Sequence, residues 1–262
     1  MKWNASYGVL ENEVKIVIVK NREEGSAAGA RMFVEQIKTK PDSVLGLATG
    51  SSPVDLYREL VKAHRLGEAA FFRTKTFNLD EYIGLPKTHE QSYNCFMRRH
   101  LFDFIDVREP NIHLPDGMAG DFEKAAADYE AAIAAAGGID LQLLGIGSNG
   151  HIGFNEPGCD LKGRTHVQQL TSRTIEDNAR LFFGGDISQV PVSALTMGLG
   201  TIMDARRCVL LAFGAKKAPA VRAMVEGPVD SNCPASVLQR HPDTTVILDV
   251  AAAEFLTKGN GS

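Results

Sequence analysis

A chain of 262 residues, 44% hydrophobic and 23% charged, has an ordinary globular composition and enough length to bury a large core. Its 28 Lys and Arg against 32 Asp and Glu leave a formal net charge of −4, which gives no overall pull toward nucleic acid or an anionic membrane. Any anionic ligand must therefore be held locally, by individual cations and oriented backbone amides.

In chain order, the amino-terminal stretch Met1–Lys15 is polar and lacks the apolar segment of a signal peptide. Short, nearly continuous apolar runs then predict strands at Val14–Val19, Val44–Ala48, Lys75–Leu79, Asp140–Ile146, Cys208–Phe213 and Thr245–Asp249. Helical patterns fall between them near Glu23–Lys38, Pro53–Leu66, Ser92–Phe102, Asp121–Ala135, Thr174–Phe183 and Lys216–Val225. Strand and helix alternate through glycine-rich junctions. The fold class expected is α/β: a mostly parallel sheet with helices on both faces, Rossmann-like, in a single domain spanning 1–262. No run approaches the length of a membrane-spanning helix, and the expected location is the cytoplasm. Cys95, Cys159, Cys208 and Cys233 form no CxxC pair, so reduced thiols are expected rather than a disulfide framework or a zinc site.

Such sheets bind ligands beyond the carboxyl ends of their strands, which directs attention to three junctions. After the second predicted strand, Thr49, Gly50, Ser51 and Ser52 precede Pro53 and an amphipathic helix. Ser52 suits the N-cap and Pro53 the first turn. Gly50 permits a tight turn, and free amides with three hydroxyls suit a phosphate, though a capped helix that binds nothing reads the same way. After the third strand come Asp80 and Glu81, adjacent carboxylates that point opposite ways in an extended exit. One facing the crevice could take a proton beside a carbonyl. After the fourth, Gly147, Gly150, Gly153 and Gly158 punctuate a loop carrying Asn149, His151 and Glu156. A histidine oriented by a carboxylate is a proton shuttle near neutral pH, and the HxxxxE spacing is not a zinc signature. Lys216 and Lys217 open a later helix against its dipole, which a bound anion facing one of them would relieve. Arg180 lies on the helix near Thr174–Phe183, where Thr174 and Asp177 have the spacing of a capping box. The residues alone choose neither between Asp80 and Glu81 nor between Lys216 and Lys217.

The segments LGLATGSSP, TFNLDEYIGLP, QSYNCFMRRHLF, LLGIGSNGHIGFNEPG, NARLFF, ALTMGLGTIMDARR, GAKKA and PASVLQRHPDTTVILD run in order from Leu45 to Asp249. Together they resemble the glucosamine-6-phosphate deaminase family over nearly the whole chain. NLDEY combined with NGHIGFNEP carries the specificity. The resemblance implies ring opening of glucosamine 6-phosphate, isomerisation through an enediol-type intermediate and loss of the amine, in amino sugar (N-acetylglucosamine) catabolism. It implies Asp80 as the base at C2, His151 as the proton carrier in ring opening and Glu156 as its partner. It places the phosphate on Thr49, Gly50, Ser51 and Ser52, with Arg180 and Lys217 as counter-charges. It implies no metal and no redox cofactor.

Some family members carry Asp where this chain has Asn149; an amide cannot relay a proton as a carboxylic acid can, which leaves Asn149 an orienting role. His166 and Gln168 stand where allosteric hexameric relatives have cations, and the carboxyl terminus is shorter, so activation by N-acetylglucosamine 6-phosphate is not expected. The expected partner is a small sugar phosphate, with no nucleic acid or membrane, bound by a monomer or homo-oligomer. Three other readings compete. A 6-phosphogluconolactonase shares a GxGxxGH-type loop but lacks NLDEY. A sugar-phosphate sensor would carry a DNA-binding domain. An isomerase that keeps the amine would share the early steps.

Overall fold

The computed structural model describes residues 14–257, so the expectation for the amino-terminal stretch falls outside them except at Val14 and Lys15. Within them the chain runs β1 (Lys15–Val19), α1 (Arg22–Thr39), β2 (Val44–Leu47), α2 (Val54–Arg65), β3 (Lys75–Asn78), β4 (Asp80–Tyr82), α3 (Tyr93–His100), β5 (Ile112–His113), α4 (Phe122–Ala135), β6 (Leu141–Gly145), β7 (His166–Gln169), α5 (Ser172–Phe182), β8 (Ser193–Thr196), α6 (Leu199–Met203), β9 (Cys208–Ala212), α7 (Ala218–Glu226) and β10 (Thr244–Asp249). Seven strands form a parallel sheet in the order β1-β10-β9-β6-β2-β3-β5. β4, β8 and β7 form a small antiparallel sheet. The expected α/β class holds, and all six predicted strands belong to the parallel sheet. The antiparallel sheet is an addition that the apolar runs did not reveal.

The central strands β2, β6, β9 and β10 are buried almost throughout, as strands covered on both faces must be. Right-handed crossovers place α1, α2 and α3 on one face and α4, α6 and α7 on the other. Contacts of α2 with both α1 and α3 agree with that division. From β2 the chain moves to β3, whereas from β6 it moves the opposite way, to β9. The crevice beyond the carboxyl ends of β2 and β6 is thus a topological switch point.

Three local expectations change. Pro53, not Ser52, occupies the N-cap of α2, and its carbonyl accepts the Tyr57 amide at 2.9 Å. Thr171, not Thr174, caps α5, because the chain turns into the helix one residue-triplet earlier; the Thr171 hydroxyl accepts the Thr174 amide at 3.3 Å. A 3-10 turn over Ala215–Lys217 precedes α7, so the two lysines stand outside the α-helix proper. All four cysteines are free thiols.

Candidate active site

The loop after β2 is anchored from below and outside. Tyr57, wholly buried, meets both the amide and the carbonyl of Ala48 through its hydroxyl. Arg22 donates to the Ser51 carbonyl while its Nε pairs with Asp55 at 2.6 Å. Gly50 sits at φ +91° with open space where a Cβ would be, so its backbone conformation, not crowding, demands glycine. Thr49, Gly50 and Ser52 remain partly accessible and Ser51 is exposed. A Cβ on Gly145, at the end of β6, would lie 3.9 Å from that of Ser52, which brings this loop beside the start of the histidine loop.

The acidic pair divides into two environments. Asp80 and Glu81 are both buried, and β4 pairs them with Thr196 and Leu195. Adjacent residues of a strand face opposite ways, and these two do. Glu81 accepts the amides of Tyr82 at 2.9 Å, Tyr93 at 2.8 Å and Asn94 at 2.9 Å, so its charge is spent on the first turn of α3. Burial raises its pKa, and those amides oppose the rise. Among the described residues the Asp80 carboxylate has no hydrogen-bond or ion-pair partner. Burial, reinforced by the charge of Glu81, pushes its pKa up to about 8. Its Oδ2 would lie 3.6 Å from a Cβ on Gly153, within the histidine loop.

That loop is shaped by its glycines. A Cβ on Gly147 would fall 2.3–2.5 Å from three atoms of the His151 ring, so the imidazole lies directly on bare backbone. Gly150 has φ +87° and faces Cys233, and the Ala235 amide donates to its carbonyl at 2.9 Å. His151 is partly exposed, with Nδ1 3.6 Å from Glu156 Oε2. That is an ion-pair separation, longer than a hydrogen bond. Nδ1 is itself buried and has no hydrogen-bond partner. Glu156, buried, accepts Asn149 Nδ2 at 2.7 Å, the Thr171 hydroxyl at 3.3 Å and the Thr174 hydroxyl. Burial works to raise its pKa, but His151, Thr174 and Asn149 outweigh it and hold it at about 2. Asn149 also receives the His151 amide on Oδ1 at 3.3 Å, so the amide ties carboxylate to histidine backbone.

β8 clasps the two halves of the site. Its Thr196 pairs with Asp80 in the ladder and accepts the Phe154 amide on Oγ1 at 3.1 Å. Met197 donates its amide to the Leu79 carbonyl at 2.7 Å and accepts Asn155 Nδ2 at 2.8 Å. Thr196 and β8 were missed from sequence. The run over residues 192–197 breaks strict alternation at Ala194 and Leu195, so no local pattern marked this strand.

The two cations separate as well. Lys216 is exposed, whereas the half-buried Lys217 donates Nζ to the Ile146 carbonyl at 2.6 Å, at the root of the histidine loop. Burial lowers its pKa and Asp177 opposes the fall. Arg180 is exposed and pairs with Asp177 at 2.7 Å, so it reaches this neighbourhood through α5 and not by direct contact with the loop after β2. The loop after β2, Asp80, the histidine loop and Lys217 are therefore gathered at the switch point, whereas among the described residues Arg180 pairs only with Asp177 on its own helix.

Residues 22–247 match a family model described as glucosamine-6-phosphate isomerases/6-phosphogluconolactonase. The glucosamine-6-phosphate deaminase of Shewanella woodyi is 54% identical over 244 residues, covering 93% of this chain and 92% of that protein. Glucosamine-6-phosphate deaminase 2 of Bacillus subtilis is 50% identical over 250 residues, 95% of this chain and 100% of its own. A solved structure of a monomeric glucosamine-6-phosphate deaminase superposes with a TM-score of 0.89 at 44% identity, covering 92% of this chain and 99% of that one. A 6-phosphogluconolactonase from Trypanosoma cruzi shares the fold, with a TM-score of 0.76 at 24% identity over 95% and 98%.

Proposed function

The chain belongs to the glucosamine-6-phosphate isomerase/6-phosphogluconolactonase family, and from that premise we propose that it is a glucosamine-6-phosphate deaminase, releasing fructose 6-phosphate and ammonium. The observation that carries this reading is the division of labour between Asp80 and Glu81. One carboxylate is consumed by backbone amides; the other is buried, unpartnered among the described residues and turned toward the histidine loop.

In this reading the loop Thr49–Ser52, with Lys217 and Arg180, holds the phosphate and so anchors the sugar at the switch point. His151 moves the proton that opens the ring, with the Glu156 carboxylate held 3.6 Å from its Nδ1. Asn149 fixes the carboxylate against the loop. Asp80 then takes the proton from C2 and returns it to C1. Carbon 2 is left as an iminium, which water converts to the ketone with departure of ammonium. Remote phosphate contacts position the reacting carbons over Asp80. The site is built from one chain, the place of action is the cytoplasm, and the process served is amino sugar catabolism.

The test is release of ammonium and fructose 6-phosphate from glucosamine 6-phosphate, with 6-phosphogluconolactone run in parallel. Equal yields of both products are expected, falling about 10²–10⁴-fold in Asp80→Asn. Hydrolysis of the lactone without ammonium release would assign the chain to the other branch of its family, since opening a lactone requires no base at C2.

A further inference from the structure

The anion site carries a negative charge of its own. On α5, Thr174 reaches down to Glu156 and Asn178 donates to the Tyr82 hydroxyl at 2.7 Å, so this stretch of the helix faces the site. Asp177 lies between them in sequence. It pairs with Arg180 at 2.7 Å and is also the charged neighbour acting on Lys217. Of the two cations assigned to the phosphate, Arg180 is thus already paired with this carboxylate, and Lys217, bonded to the Ile146 carbonyl, lies within reach of its charge. Glu176, next in sequence, is exposed.

We propose that Asp177 is a built-in counter-charge of the phosphate site, a residue that weakens the hold on every anion by a similar increment and so sets the affinity an anion must exceed to stay bound. This rests on the phosphate reading given above. Two cations with one carboxylate leave a net charge of +1 to meet a phosphate monoester carrying about −1.5 to −2 at neutral pH. Without Asp177 the charges would nearly cancel. A free anion has only these contacts to offer, so the carboxylate keeps it from lodging in the site. A sugar phosphate adds contacts along its carbon chain and remains bound despite the same penalty. Asp177 is partly exposed, which keeps the effect modest and sensitive to salt.

The probe is inorganic phosphate, titrated calorimetrically into the full chain and into Asp177→Asn, Glu176→Gln and Lys217→Ala at low and high ionic strength. Asp177→Asn should bind phosphate about two- to fivefold tighter at low salt, with the gap closing at high salt. Glu176→Gln removes the same charge from the same helix and should bind as the parent does. Unchanged binding in Asp177→Asn overturns the proposal. Weaker binding overturns it too, by showing that Asp177 serves to hold Arg180 in its binding pose. Lys217→Ala separates this inference from its premise. If that chain binds phosphate as well as the parent, the phosphate assignment itself fails. If it loses binding while Asp177→Asn changes nothing, only the counter-charge fails.

Discussion

Burial holds Asp80 in a state that costs the fold. With a pKa pushed up to about 8, it keeps its proton across neutral pH, whereas in the unfolded chain it gives that proton up near 3.8. Between those values the folded state binds more protons than the unfolded state, so this group's contribution to stability falls as pH rises from about 4 to 8. Asparagine cannot ionise. The advantage of Asp80→Asn over the parent in thermal or urea unfolding should therefore grow from pH 5 to pH 8 and then level off. Activity runs the other way. A base must be ionised, so kcat/KM should climb with pH up to about 8, and a profile already flat from pH 6 would remove Asp80 from that role. The sequence points to an acidic pair at a strand end but cannot rank its members, because the ranking depends on where the Tyr93 and Asn94 amides arrive. Lys217 is preferred to Lys216 for a similar reason: its partner, the Ile146 carbonyl, lies about 70 residues away in the chain. Long-range contacts of this kind leave no local mark.

Glu81 has its effect at the level of elements. It joins β4 to the start of α3 through the Tyr93 and Asn94 amides and also holds the Tyr82 amide of its own strand, so Glu81→Ala should cost about 2–4 kcal/mol of unfolding free energy, read by urea denaturation, with the β4 ladder otherwise intact. A loss below about 0.5 kcal/mol would mean that water replaces the carboxylate easily. Six of the seven parallel strands were legible as continuous apolar runs; the seventh, β5, has only two residues and left no such run. The antiparallel sheet was not: β4 is three residues long and lies within an acidic motif, β7 is a mostly polar HVQQ, and β8 hides in a longer mixed stretch. Their cohesion comes from pairing and from a satellite core of Tyr82, Phe154, Leu170, Ala179, Phe183, Val190 and Ala194, not from local pattern. The Ser52 and Thr174 caps were misplaced for a simpler reason, since neighbouring residues suited the same position.

For the whole molecule, the stretch where the resemblance places the cations of allosteric relatives is committed elsewhere. His166 Nε2 lies 3.2 Å from Gln168 Oε1, and Arg164 is bound to Glu130 and Asp204. Rates against glucosamine 6-phosphate should therefore follow a hyperbola that N-acetylglucosamine 6-phosphate leaves unchanged. A sigmoidal curve straightened by that compound would show that an effector site persists in another guise. Among the described residues no helix is long and apolar enough to cross a membrane.

The order of strands bears on how the sheet closes. Within the sheet, β1 has β10 as its neighbour, and β10 also binds β9. The first of the seven described strands in chain order is thus joined to the sheet by the last. A chain that has produced the Asp80 and His151 loops still lacks the strand that pairs with β1, although α1 already has α2 to pack against. Closure of that edge must wait for residues 244–249, so it is the step of sheet formation that spans the greatest separation along the chain.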